Sequence, residues 1–380
     1  MQNKMTNNMD EKRERQYPVP EFRTIFPIQC NPFNEDSKRT AELTKWWSEY
    51  ALLPADIYQR RVADSMLEFG AYFYPHCTDW KRYANLVKWL GYLFVWDDHN
   101  ETQYGEFGRS SRTARPVSDQ YLQCLDRLER MFDMKSETTD NDKLSTTTAI
   151  TTTTTATANN TNGSDTAAAA DYIPMNTWKP YVLSTYVTVE AIMQDMTGVQ
   201  RLRFIDSWRR YLRAQDYENR LIEQKFVDFD SIKKARMDTS ANATIFALLE
   251  YSDGLCVPER EWLDPRFQRL LHLANFAIIY VNDVYSFEKE LYDQKGQLDR
   301  MFVNLVAYYI LDQKCSIREA MDKTLVICRQ HESEFDQLAK SVANDPSVSS
   351  DTKRYVQGLA TFISGNYHMS ITLNRYNNIY

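Results

Sequence analysis

LHLANFAIIYVNDVYSFEKE, residues 271–290, is the stretch on which the fold turns. Leu271, Ala274 and Ile278 recur at helical spacing, and Asn282, Ser286 and Glu290 continue the row in steps of four. Steps of four drift only about 40° around an α-helix, so these side chains share one face. An apolar stripe therefore runs into an amide, a hydroxyl and a carboxylate. Those three oxygens suit one octahedral Mg²⁺, with water or phosphate oxygens completing the shell.

A second helix carries the same pattern. Leu86, Leu90, Leu93 and Asp97 fall on one face, and Glu101 continues it one turn later. The run is Asp97-Asp98-His99-Asn100-Glu101. Asp97 and Glu101 lie about 6 Å apart at Cβ in a helix, close enough to bridge hard cations. Carboxylates at the end of a buried stripe must meet cations or water, because burying them unpaired is costly. Oxygen-only donors favour Mg²⁺ or Mn²⁺ over zinc. The five histidines (His76, His99, His272, His331, His368) have no metal spacing, and His99 reads as a polar residue at the mouth of the motif.

Working outward, the 380 residues are 43% hydrophobic, with only 10 Gly and 12 Pro, which favours long helices over many tight turns. The net charge of -7, with no basic block, speaks against nucleic-acid binding. An acidic chain that binds phosphate needs metal cations or a local basic cluster. The six cysteines are scattered without a CxxC pair and read as reduced thiols of a cytoplasmic protein. No run of about 18 apolar residues is present, so no membrane span is expected. A homodimer is compatible with the sequence but not derivable from it.

Residues 1–20 are polar and expected to be disordered, and PVPEFRTIFPIQCNPFNED, residues 18–36, reads as an extended strap on a helical body. From about residue 38 onward the periodicity is helical throughout, giving an all-α fold. Residues 136–171, rich in Thr, Asn and Ala, are too poor in large apolar side chains to order themselves. The two acidic motifs lie on opposite sides of this tract and have to meet. It is therefore expected to be a disordered insertion in a single domain spanning 21–380, rather than an interdomain linker.

Asp97–Glu101 resembles the DDxxD/E-like motif of class I terpene synthases of the microbial type, and Asn282-Asp283…Ser286…Glu290 matches their NDxxSxxxE motif without substitution. The resemblance covers roughly residues 20–135 and 172–380 and is strongest to the dictyostelid (social amoeba) branch. It implies a helical bundle around a central active-site cavity, in which three Mg²⁺ ions are held against a prenyl diphosphate by Asp97, Asp98, Glu101, Asn282, Ser286 and Glu290. By the same resemblance Arg236, Lys289 and the pair Arg375-Tyr376 contact the diphosphate, and Thr239 and Ser240 follow as linker and effector positions. Asn304-Leu305-Val306 is similar to the family's Asn-containing segment after the second motif. Met369 stands where relatives carry a Trp of the cavity wall, and Ser240 where many carry Gly.

Arg and Lys donors satisfy phosphate oxygens that metal ions leave unmatched. Aromatic faces stabilise an allylic cation; Phe94, one turn before Asp97, is the first candidate, with Trp89, Phe73, Phe276 and the wall position Met369 beside it. The resemblance implies a cyclase releasing a terpene and diphosphate. Farnesyl diphosphate is the expected substrate and geranylgeranyl diphosphate its competitor. A chain-elongating prenyltransferase, which uses two Asp-rich motifs, and a non-catalytic helical binding protein are the alternative readings.

Overall fold

A computed structural model describes residues 15–51, 66–101, 111–134, 173–224, 228–300, 304–373 and 376; the side chains of 66–67, 98–101, 111, 222–224 and 300 are outside the description. The expected disorder at residues 136–171 falls outside it. Every regular element among the described residues is helical.

The helices are α1 (Ser37–Tyr50), α2 (Met66–Phe73), α3 (Trp80–Glu101), α4 (Ser111–Met131), α5 (Pro180–Gln194), α6 (Gly198–Gln224) and α7 (Phe229–Thr239). They continue with α8 (Asn242–Ala247), α9 (Leu249–Asp253), α10 (Glu259–Trp262), α11 (Pro265–Asp293), α12 (Leu305–Gln313), α13 (Ile317–Asn344) and α14 (Ser350–Thr372). Their starts follow from local chemistry. Asp264 caps α11 by accepting from Arg266 N–H, and Pro265 fills a first-turn position where no N–H is needed. Ser316 and Glu319 form a reciprocal capping box on α13. Asn304 caps α12 through Val306 and Ala307 N–H.

α11 is the axis of the bundle. Its residues 273–281 are all buried, so it is covered on every side, most extensively by α13 and α14. Its 29 residues reach about 44 Å. One continuous core takes side chains from Phe22 to Tyr376, including residues before and after 136–171.

Between α7 and α8 the helical path breaks. Ala241 adopts φ 58°, a left-handed conformation that a non-glycine residue takes at some cost. Three side-chain hydrogen bonds brace the break. Asn275 Nδ2 donates to Met237 O at 2.8 Å, while Asn275 Oδ1 accepts from Ser240 Oγ at 3.0 Å and Asn242 Nδ2 at 2.9 Å.

The strap of residues 18–36 lies on α13 and α14, as the proline punctuation suggested. Glu332 accepts Ile25 N–H, and the hydroxyls of Tyr367 and Ser364 donate to Phe22 O and Pro27 O. Residues 15–20, which composition groups with a disordered terminus, are docked. Gln16 and Tyr17 N–H donate to the Glu288 carboxylate at 3.0 and 3.3 Å, and the Tyr17 ring meets Phe287 edge-on. Backbone hydrogen bonds to one carboxylate do the work that apolar content does not. Among the described residues no helix is long and apolar enough to cross a membrane.

Candidate active site

α3 and α11 line one cavity, and each passes from apolar to polar along its length. Leu93 and Phe94 precede Asp97 on α3; Ile278 and Ile279 precede Asn282, Ser286, Lys289 and Glu290 on α11. Arg236 and Thr239 of α7, Ser240, Asn242 and Tyr376 also reach it. The two rows predicted from helical spacing thus converge. The side chains of Asp98 and Glu101 and all of Arg375 lie outside the described residues.

The α11 polar row is held by a small network. Ser286 Oγ donates to Glu290 Oε1 at 2.6 Å, and Asn304 Nδ2 donates to the other oxygen, Glu290 Oε2, at 2.9 Å. Asn282 Nδ2 donates to the Tyr376 hydroxyl at 3.3 Å, which turns its amide oxygen the other way. Lys289 pairs with Asp293 at 2.8 Å. Asp283, adjacent to Asn282, faces away from the cavity and is wholly buried; it accepts from Arg236 at 2.5 Å and from Leu305 N–H at 2.9 Å. Burial pushes its pKa up to about 6, and the Arg236 guanidinium opposes that rise. Arg236 therefore both lines the cavity and anchors the motif.

These donors fit a hard divalent cation. Asn282, Ser286, Glu290 and Asp97 offer only amide, hydroxyl and carboxylate oxygens. No group of three His, Cys, Asp or Glu forms a metal cluster among the described residues.

The apolar end is aromatic on one side. Phe69 and Phe94 rings lie 4.5 Å apart between centroids, and Phe73 stands against Phe362 at 5.1 Å. Phe73 and Phe94 line the cavity as expected from sequence. Trp89, Phe276 and Met369 do not. Trp89 packs edge-on against Phe204 and Trp208 in the core. Phe276 is turned towards Tyr280, His272 and Lys233. Met369 is 1% exposed within the core, and Asn366, one turn earlier on α14, takes the wall instead. Periodicity assigns a face to these residues but not the neighbour that covers it. The sequence reading also missed Phe69, Asn242, Asn275 and Asn366; Phe69, one turn before Phe73, was findable by spacing alone.

Solved structures share this architecture. Hedycaryol synthase in complex with HEPES superposes with a TM-score of 0.66 at 16% identity, covering 94% of this chain and 98% of that one. α-Eudesmol synthase superposes at 0.66 and 19% identity, covering 93% and 99%. The fold is that of the class I terpene synthases.

The family model described as "Terpene synthase family 2, C-terminal metal binding" matches residues 88–334, which include both acidic motifs. The chain belongs to this family and is a terpene cyclase, a carbon–oxygen lyase acting on a prenyl diphosphate. Among curated relatives, sesquiterpene synthase 6 of Postia placenta is 25% identical over 354 residues, 92% of this chain and 87% of its own length. The 4-epi-cubebol synthase ((2E,6E)-farnesyl diphosphate cyclizing) of Streptosporangium roseum is 30% identical over 181 residues, 45% of this chain and 52% of its own length.

Proposed function

We propose that the protein converts farnesyl diphosphate to a sesquiterpene and diphosphate with Mg²⁺. One observation carries the reading: hard oxygen donors and cationic side chains share the polar end of a cavity whose other end is aromatic. That polarity matches a substrate with an anionic head and a hydrocarbon tail. Relatives named sesquiterpene synthases favour the C15 length.

In this reading Asp97, Asp98 and Glu101 on one side, and Asn282, Ser286 and Glu290 on the other, hold three Mg²⁺ ions. Mn²⁺ would satisfy the same donors. The ions supply Lewis acidity that makes diphosphate a better leaving group. Arg236, Lys289, Arg375 and Tyr376 donate to the diphosphate oxygens and keep the head group at the polar end. The aromatic wall of Phe69, Phe73 and Phe94 faces the hydrocarbon, excludes water and stabilises the allylic cation through ring quadrupoles. Residues 21–380 form one domain, interrupted by the insertion at 136–171.

The test is incubation with C10, C15 and C20 prenyl diphosphates and Mg²⁺, with products analysed by gas chromatography and mass spectrometry. A sesquiterpene from the C15 substrate is expected. Turnover of the C20 substrate alone would replace the substrate assignment. Absence of any terpene product from all three would sink the reading. Asn282→Ala, Ser286→Ala and Glu290→Gln are each expected to abolish turnover while the protein stays folded.

A further inference from the structure

Two carboxamides stand in the cavity wall with their nitrogens tied down and their oxygens left over. Asn366, on α14, is 6% exposed, and its Nδ2 donates to Ile278 O of α11 at 3.2 Å. Asn242, at the start of α8, is 5% exposed, and its Nδ2 donates to Asn275 Oδ1 at 2.9 Å. Both line the cavity. Neither Oδ1 accepts a hydrogen bond among the described residues.

The orientations follow from the partners. A backbone carbonyl only accepts, so Ile278 O requires the nitrogen of Asn366 to face it. Met237 O likewise requires the nitrogen of Asn275, which turns Asn275 Oδ1 towards Ser240 and Asn242. Asn242 must then present its nitrogen to Asn275. In both residues the oxygen is the end left for the cavity. Neither oxygen is among the sealed, unpartnered atoms of the core; both open onto the cavity, where an occupant that displaces water must take over their electrostatic partner.

We infer that Asn242 and Asn366 are catalytic residues whose carboxamide oxygens face the hydrocarbon end of the substrate and stabilise the carbocation. This rests on the cyclase reading above. Heterolysis of the allylic C–O bond sends the electron pair out with diphosphate and leaves the positive charge on the hydrocarbon. The amide dipoles, negative ends towards that charge, are already oriented by Ile278 O and Asn275, so they need little reorganisation as the charge develops. The substrate's tail is neutral before ionisation, so these oxygens discriminate between ground and transition states. They neither gain nor lose a proton. Their placement on two different helices also fixes where along the tail the charge dwells, and with it the product.

The test compares Asn242→Leu, Asn366→Leu and the double variant with the wild type on the C15 diphosphate. Each single variant is expected to lose about 10–100-fold in kcat with KM within about twofold, and to release a broader product mixture. Asn366→Gln, which keeps a carboxamide with both a donor and an oxygen, should retain more turnover than the Leu variant. If leucine at 366 prevents folding, Asn366→Thr removes the carboxamide with less added bulk. Runs in ¹⁸O-labelled water separate the rival role. Labelled alcohol from the wild type, replaced by unlabelled hydrocarbon at unchanged kcat in the variants, would mean the oxygens hold a nucleophilic water, and would overturn the inference. So would unchanged kcat and product in the folded double variant. A wild type inactive on every diphosphate would overturn this inference and the cyclase reading together, whereas active wild type with unaffected variants overturns this one alone.

Discussion

The Arg236 guanidinium and the Asp283 carboxylate meet at 2.5 Å, the first 12% exposed at its side chain and the second fully buried. Through this pair and Leu305 N–H, Asp283 ties α7 and the start of α12 to the helix that carries Asn282, Ser286 and Glu290. Removing one partner of a buried pair strands the other charge, at a cost of about 3–5 kcal/mol. Asp283→Ala is expected to lose that much stability in urea unfolding. Asp283→Asn keeps an acceptor for only one of the two donors, which bond separate oxygens of Asp283, and removes the charge, so it should also be destabilised. A change under about 1 kcal/mol for Asp283→Ala would mean that the pair does not anchor the motif.

Helical spacing was enough to align Asn282, Ser286 and Glu290, because residues four apart must share a face whatever surrounds them. It was enough to bring Phe94 to the wall with Asp97 for the same reason. Trp89 and Phe276 escaped it because their exposure depends on which helix packs over them, and that is decided by tertiary contacts with Trp208 on one side and Tyr280 on the other. Asn242, Asn275 and Asn366 were illegible on stronger grounds. An asparagine becomes a fixed dipole only when a distant carbonyl accepts its N–H, and Met237 O and Ile278 O lie 38 and 88 residues away from their donors. The docking of Gln16 and Tyr17 rests on backbone donors, which carry no sequence signal.

Asn304 does two jobs that substitution can separate. Its Oδ1 caps α12, and its Nδ2 donates both to Asp283 O and to Glu290 Oε2, each at 2.9 Å. Asn304→Ser keeps a capping oxygen but shortens the donor, so the fold should persist while Glu290 loosens. Such positioning partners typically matter about 10–100-fold in metal affinity. The Mg²⁺ concentration at half-maximal activity is expected to rise by that factor, measured by titration at saturating substrate. An unchanged Mg²⁺ requirement would leave Asn304 as a helix cap alone.

The docked terminus reaches the polar end of the cavity. Arg15 donates to Tyr285 O at 3.1 Å and to Tyr376 O at 2.9 Å, while Glu288 accepts Gln16 and Tyr17 N–H. Tyr376 lines the cavity and its hydroxyl meets Asn282, so the latch bears on the position of a site residue. Arg15→Ala and Glu288→Ala are each expected to lower kcat roughly tenfold by letting that segment drift. Little stability should be lost, because the contacts lie at the edge of the core. Full activity in both variants would reduce the latch to packing.

His272 gives a pH dependence of defined sign. Burial, then the neighbouring cations Arg269, Lys233 and His331, lowers its pKa to about 4 from the ordinary 6.5, against a smaller opposing pull from Glu334. The folded protein thus keeps this imidazole neutral down to about pH 4, while the unfolded chain takes up a proton below about 6.5. The unfolded state binds more protons in that window, so this contribution to stability is present above 6.5 and is lost as pH falls towards 4. Comparing Tm between pH 7 and 4.5 for wild type and His272→Gln isolates it from other titrating groups. The variant should lose fewer degrees on acidification; equal losses would remove His272 as a cause.

Residues 136–171 offer a test of the single-domain reading. The chain departs after α4 at Met134, and Ile173 is pinned on its return by donating its N–H to Gln123 Oε1 of that same helix at 3.0 Å. Trp178 Nε1 then donates to Ile173 O at 3.2 Å, fixing the approach to α5. Both ends are therefore held by the folded body, independently of what lies between them. Each halving of a flexible loop recovers only about 0.6 kcal/mol of closure entropy. Replacing 136–171 with a Gly-Ser linker of about ten residues should therefore raise stability by roughly 1 kcal/mol and leave kcat within about twofold. An interdomain linker would behave differently, since shortening it would change how two bodies meet and would impair a site built from α3 and α11. Loss of turnover in a folded variant would thus overturn the insertion and restore two domains.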